Sequence, residues 1–381
     1  MASRLYRSTV PLFRAVERVL RPWGFAQLGS PTFFGLLALF VTGLVLLDAR
    51  PTQTRVSALL PARAHDALNR LLRTLPLSTR ALLRCPVGFA RAQGQEGYLV
   101  LDEVVIEKAF ARRLPWAAWV YSSAHKRLVY GVLIVVLVWC SDDRAWRIPV
   151  GFRLWRPKPR CARRHYRTRL DLAQILVQEV LAAQLPVRYL VFDTHYTAGR
   201  FTKWLTRHDI AWQGTLDPRT KVVYPGVQGP VGDLARRPLK WRPALGLRAG
   251  GFVVYAPTYG HVRLVVTRNS QGNQTYLVSN VLTSDLTSMV SGQRSRWRVE
   301  TVFRDSTQWA GLGACQSWVD QALVRHVGLV LVTFVVLQVL RERPGETVGA
   351  VKRRWQLACL RDGQAPPAPL RAAPREFRST A

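Results

Sequence analysis

Between Tyr98 and Asp193 the apolar pattern changes character four times, and this succession constrains the fold more than any other feature of the chain. "YLVLDEVVIEK", "LVYGVLIVVLVWC" (128–140) and "AWRIPVGFRLW" (145–155) are rich in β-branched and aromatic residues and read as strands. The second has no polar alternation, as expected of a strand buried on both faces. "RTRLDLAQILVQEVLAAQ" (167–184) has helical spacing and leads into a short buried strand, "VRYLVFD" (187–193). Three strands, a helix and a strand predict an α/β fold in which the last strand lies parallel to an earlier one. Asp102 comes late in the first strand and Asp193 ends the fourth, and the carboxyl ends of strands in open α/β sheets are where ligands are held.

On either side the pattern differs. Residues 1–97 read as helical, Arg-rich and lysine-free, which fits a DNA-binding region or an Arg-faced solvated surface, and residues 98–217 as the first part of an α/β core. A helix near 198–209 and a strand near 211–216 close that part. A Gly- and Pro-rich stretch, about 217–251, then leads to the strand-like runs "FVVYA", "HVRLVVTR" and "QTYLVSN", so residues 218–284 read as a β-rich insertion. Residues 285–340 read as the C-terminal helices of the core, and 341–381, ending "GQAPPAPLRAAPREFRSTA", as a basic disordered tail.

Charge narrows the partner. The chain holds 55 Lys and Arg against 23 Asp and Glu, a formal net charge of +32, and such an excess requires a polyanion. The apolar runs at 33–47 and 327–340 raise a membrane as the rival surface, but each is shorter than the roughly 20 residues that span a bilayer. They read as buried helices, with no membrane partner. Five cysteines, far apart and without CxxC or Cys/His spacing, point to a reducing compartment and away from structural zinc. No signal peptide is evident, so a cytoplasmic, nucleoid-associated protein is expected.

Against this background the acids stand out. "GQRSRWRVETVFRDSTQW" (292–309) reads as helix from Gln293 onward, with Gln293, Arg296, Glu300 and Thr307 along one stripe. An Arg four residues before a Glu is by itself only a surface pair of about 0.2–0.5 kcal/mol. Asp102, Asp193 and Glu300 together, in a basic chain, suggest more. Clustered carboxylates repel a phosphodiester unless cations intervene, and two Mg²⁺ ions about 3.5–4 Å apart resolve the conflict.

The contexts "LDEVVIEK", "YLVFDTHY" and "RSRWRVETVFRD" resemble the DDE transposases of bacterial insertion sequences. The likeness, over about residues 60–340, is greatest to the insertion-sequence-four family marked by Y-x2-R-x3-E-x6-K. It implies an RNase H-like catalytic domain in which Asp102, Asp193 and Glu300 bind two Mg²⁺ ions, with Mn²⁺ substituting. The implied reaction is cutting at transposon ends and joining of the freed 3′-hydroxyls to target DNA. The implied partners are double-stranded DNA, as terminal inverted repeats and target, and a second copy of the chain in a dimer on paired ends. The signature Arg, which contacts phosphate, transfers to Arg296. Gln293 and Thr307 stand where the signature has Tyr and Lys, which opens a second reading, a decayed copy that only binds DNA.

Further DNA contacts are expected from "RPKPRCARRHYRTR", where Arg156, Lys158, Arg160, Arg163, Arg164, Arg167 and Arg169 occur without an acid, and from Trp241 in "RRPLKWR". His195 replaces an aromatic ring of the family and is expected to be structural. Glu103 is expected to point away from Asp102, and Asp305 to pair with an Arg.

Overall fold

Local signals in the chain set where the helices begin. Ser30, Ser78 and Thr347 each cap a helix by accepting a backbone N–H with the hydroxyl, while Thr168 and Asp171 form a reciprocal capping box. The computed structural model describes residues 2–27, 30–48, 51–59, 65–74, 78–143 and 145–361. The helices are α1 (Ala2–Leu20), α2 (Pro31–Leu46), α3 (Gln53–Leu59), α4 (His65–Thr74) and α5 (Thr79–Ala92). There follow β1 (Gly97–Glu107), β2 (Ala117–Ser122), β3 (Arg127–Ser141), β4 (Arg147–Leu154), α6 (Arg169–Ala182), β5 (Val187–Val191), α7 (Gly199–Arg207) and β6 (Trp212–Thr215). The remainder comprises β7 (Lys221–Val223), β8 (Gln228–Pro230), β9 (Lys240–Arg242), β10 (Leu247–Ala256), β11 (Gly260–Arg268), β12 (Gln274–Ser279), α8 (Leu286–Ala310), α9 (Asp320–Val339) and α10 (Val348–Leu360). The protein is a mixed α/β structure, and β1 and α8 each pass from one of its two units into the other.

One unit comprises residues 1–95, 103–185 and 301–381. Its centre is α9, whose side chains from Val327 to Leu337 are buried. The expected apolar run is here a 20-residue helix, long and apolar enough to cross a membrane, but 89 % of its apolar window is buried inside the protein. It packs on α2, α4, α5, α10 and β4. Gly328 lets α5 approach, since a Cβ there would stand 2.6 Å from Leu82 Cδ1. Strand β3 pairs antiparallel with β2 and with β4, and is buried from Val132 to Ser141. Its sheet is covered on both faces: Gly151 of β4 meets Leu176 of α6, while the neighbouring Phe152 meets α9 at Gly328.

The helices of residues 1–97 belong to this unit, where α5 packs directly on β4 and α9. One expectation changes here. The stretch from 341, expected to be disordered, contains α10, anchored by buried Val348, Val351 and Trp355; residues 362–381 lie outside the described residues, as do 60–64 and 75–77 of the basic helical stretch.

The other unit comprises residues 96–102 and 186–300. Strand β5 runs parallel to β1, as the sequence predicts, and β6 parallel to β5. Beyond β6 the sheet continues antiparallel through β12, β11, β10, β7 and β8, with β9 beside β10. The stretch expected as an insertion therefore extends the sheet of β5 and β6. Leu247, Ala249, Val265 and Leu277 of this extension bury Leu286, Met289 and Val290, which fixes the first turns of α8 on it.

Candidate active site

The parallel register of β1 and β5 pairs Leu99 with Leu190 and Val100 with Val191. Asp102 lies two residues past Val100, in the middle of β1 rather than late in it as the sequence suggests, and Asp193 lies two residues past Val191, just after β5 ends. Asp193 sits where β5 stops because it turns the chain. Its Oδ1 accepts the backbone N–H of His195 at 3.0 Å, and its carbonyl oxygen accepts those of Tyr196 and Thr197. Gly214 on the neighbouring β6 makes room for this turn, since a Cβ there would stand 2.4 Å from Thr197 Oγ1.

Glu300 arrives on α8. The sequence places the helix start at Gln293 because Gly292 reads as a breaker, yet α8 begins seven residues earlier, where Asp285 Oδ2 accepts the N–H of Ser288. These backbone hydrogen bonds hold the Asp285 carboxyl below its ordinary range. Gly292 is tolerated because the helix lies close to β6: a Cβ would be 3.0 Å from Gln213 Oε1, and Gln213 Nε2 donates to Met289 O at 2.5 Å. A second tie is Arg298, which donates to the Tyr98 hydroxyl at 3.1 Å, and Tyr98 stacks on Tyr189 across β1 and β5.

Arg296 completes the arrangement. Its guanidinium donates to Asp102 Oδ2 at 2.6 Å and to Glu300 Oε1 at 2.9 Å, with the Arg and Asp side chains largely buried. One cation thus gathers two of the three expected acids, while the third, Asp193, follows the end of the strand that pairs with β1. Among the described residues no three acidic, His or Cys side chains already enclose a metal position. The donor set still fits a hard divalent cation: carboxylate oxygens on rigid elements, two of them already sharing one positive group. Buried Arg296 Nε and Gln293 Oε1, one helical turn apart, have no hydrogen-bond partner, so polar capacity at this point of α8 is unspent.

The other expected residues divide. Thr307 is exposed on α8, and Trp241 is exposed on β9. Lys158, Arg160, Arg163, Arg164 and Arg167 are exposed, whereas Arg156 pairs with Asp320 at 3.1 Å and stacks on Trp116, and Arg169 pairs with Glu103 at 2.5 Å. Glu103 therefore has its own partner, and buried Asp305 pairs with Arg304. The His195 ring is exposed and touches Tyr196 edge-on; contrary to expectation it fills no aromatic niche, and its backbone N–H is what meets Asp193. The sequence reading missed Tyr98, Tyr189, Gln213 and Arg298. Tyr98 carried a signal, being the same-face neighbour of Asp102 four residues upstream; Gln213 is a buried polar residue of a short strand.

No curated protein matches the chain significantly. A family profile described as DDE superfamily endonuclease matches residues 25–250, a span that holds Asp102 and Asp193 and stops before Glu300. Matching more than half of the chain, it shows that this protein belongs to the DDE superfamily of endonucleases.

Proposed function

We propose that the protein is a DNA transposase that cuts phosphodiester bonds at transposon ends and joins the freed 3′-hydroxyls to target DNA. The observation that carries this reading is the joining of Asp102 to Glu300 through Arg296, with Asp193 directly after β5, the parallel neighbour of β1. The chain order β1, β2, β3, β4, α6, β5, α7, β6, with β5 parallel to β1 and β6 to β5, supports an RNase H-like core.

Asp102, Asp193 and Glu300 are the residues that would hold two Mg²⁺ ions, or Mn²⁺ in their place. When bound, the ions supply an activated attacking oxygen and charge stabilisation at the leaving oxygen. Rigidity comes from the protein: Asp102 is set by a buried strand, Asp193 by its turn, and Glu300 by a helix anchored at Gln213 and Tyr98. Arg296 offers the planar donor fork that matches a phosphate, and the Gln293 amide one turn away adds a neutral hydrogen-bonding group. The partners are double-stranded terminal repeats and target DNA, bound by a dimer in the bacterial cytoplasm.

A second reading, DNA binding without cutting, is favoured by one observation. The positions that carry Tyr and Lys in the insertion-sequence-four signature are Gln293 and an exposed, uncharged Thr307. Excision of a marker flanked by the gene's own terminal repeats separates the two. The expected outcome is excision by the wild type that falls about 100-fold or more in Asp193→Asn and Glu300→Ala, with duplex binding retained. Undiminished excision in either variant overturns the assignment of the triad. No excision by the wild type, with binding intact, selects the second reading.

A further inference from the structure

The hairpin of β2 and β3 exposes an aromatic face that the cutting site does not use. Antiparallel register pairs Trp119 with Tyr130 and Tyr121 with Leu128, which puts these four side chains on one face. Trp119 is 69 %, Tyr121 62 % and Leu128 59 % exposed. The opposite face carries buried Val129 and Ser122, so the hairpin is inserted the ordinary way round and its outer side is unusually apolar for solvent. Trp119 and Tyr130 meet edge to face at 5.7 Å, which holds both rings upright.

A cation lies against this face. Arg160 donates to the Tyr130 hydroxyl at 3.1 Å and to the carbonyl oxygens of Arg112 and Leu114, which fixes its guanidinium beside the rings. It belongs to the segment 156–169, which contains seven Lys and Arg and no acid.

We infer that this face binds unpaired bases of single-stranded DNA, with Trp119 and Tyr121 as stacking surfaces and Arg160 as a backbone contact. The inference rests on the reading of the chain as a DNA-acting protein and adds the form of DNA. Rings on one strand recur about 6.7 Å apart, and a sheet face of this kind accommodates two or three bases, which present their faces only when unstacked from a duplex. Charge selects the occupant: the segment 156–169 beside this face holds seven Lys and Arg and no acid, and the chain carries a net charge of +32, which attract a polyanion.

The test uses the full chain carrying Asp193→Asn, so that binding is read without cutting. Fluorescence anisotropy is recorded with labelled oligo-dT of about twelve nucleotides, a duplex of equal length and an oligo-U of equal length. Trp119→Ala with Tyr121→Ala, at exposed positions that leave the core intact, is expected to weaken oligo-dT binding by about tenfold or more, with a much smaller effect on the duplex. Trp119→Phe, which keeps a ring, is expected to bind nearly as the parent does. Unchanged oligo-dT binding in the double variant overturns the proposal. So does tighter binding of oligo-U, or a loss of self-association in the double variant with DNA binding intact. Excision assayed in the wild-type background keeps the two readings apart. Normal oligo-dT binding by the ring variants beside triad-dependent excision removes only this proposal, and the reverse pattern removes only the nuclease.

Discussion

Arg296 is the shared counter-charge of two acids. Without a bound cation, its guanidinium neutralises Asp102 and Glu300 at 2.6 and 2.9 Å. In Arg296→Ala two carboxylates keep their places without a counter-charge, and removing one partner of a buried pair costs up to about 3–5 kcal/mol. Glu300 is partly exposed, so the expected loss is lower, about 2 kcal/mol. Because Arg296 and a divalent cation would use the same oxygens, Mg²⁺ is expected to raise the Tm of Arg296→Ala more than that of the wild type. Thermal unfolding across a Mg²⁺ titration checks this, and equal shifts would separate Arg296 from the cation site. The Arg and Glu were legible in the sequence as an (i, i+4) pair; Asp102 as the second partner was not, since it lies 194 residues away.

At the scale of elements, the ends of helices are joined by side chains from distant parts of the chain. Lys352 on α10 is fully buried and donates its Nζ to Leu44 O and Leu47 O at the end of α2 and to Trp309 O near the end of α8. Helix ends leave carbonyl groups unsatisfied, and one ammonium satisfies three of them. Burial lowers the Lys352 pKa from 10.5 to about 8. Between these values the folded protein binds fewer protons than the unfolded chain, so the sign of linkage makes stability rise with pH across this window. The gain is about 3 kcal/mol when complete. Urea unfolding at several pH values from 7 to 10.5 is expected to show this rise in the wild type and to lack that component in Lys352→Met. Most helices and strands could be read from periodicity, but α10 could not, because its buried face includes a lysine and its sequence adjoins a Pro- and Ala-rich tail.

Across the whole molecule, a net charge of +32 is divided between cations held by acids and cations left to solvent. In the basic segment, Arg156 and Arg169 are held by Asp320 and Glu103, while Arg163, Arg164 and Arg167 are exposed. On the proposed function, the exposed ones are positioned to release counterions from DNA. Replacing all three with Ala is expected to reduce the slope of log K against log salt for duplex binding by about 3, roughly one per phosphate contact. Arg156→Ala is expected to leave the slope nearly unchanged while exposing Asp320 as an unpaired acid. Binding isotherms at several salt concentrations distinguish the cases, and equal effects of all four arginines would contradict the division.

The sequence by itself determined the α/β class, the parallel placement of β5, the buried character of β3 and of the two apolar helices, and which three acids to follow. These rest on local periodicity and on short motifs, which the chain carries residue by residue. The tertiary structure decided the rest. It drew the N-terminal helices onto α9 and β4, continued the sheet of β6 through the expected insertion, and carried α8 through Gly292. It also joined Asp102 to Glu300 through Arg296. Each of these depends on which surfaces meet after the chain has closed long loops, and no local window of residues encodes such a meeting.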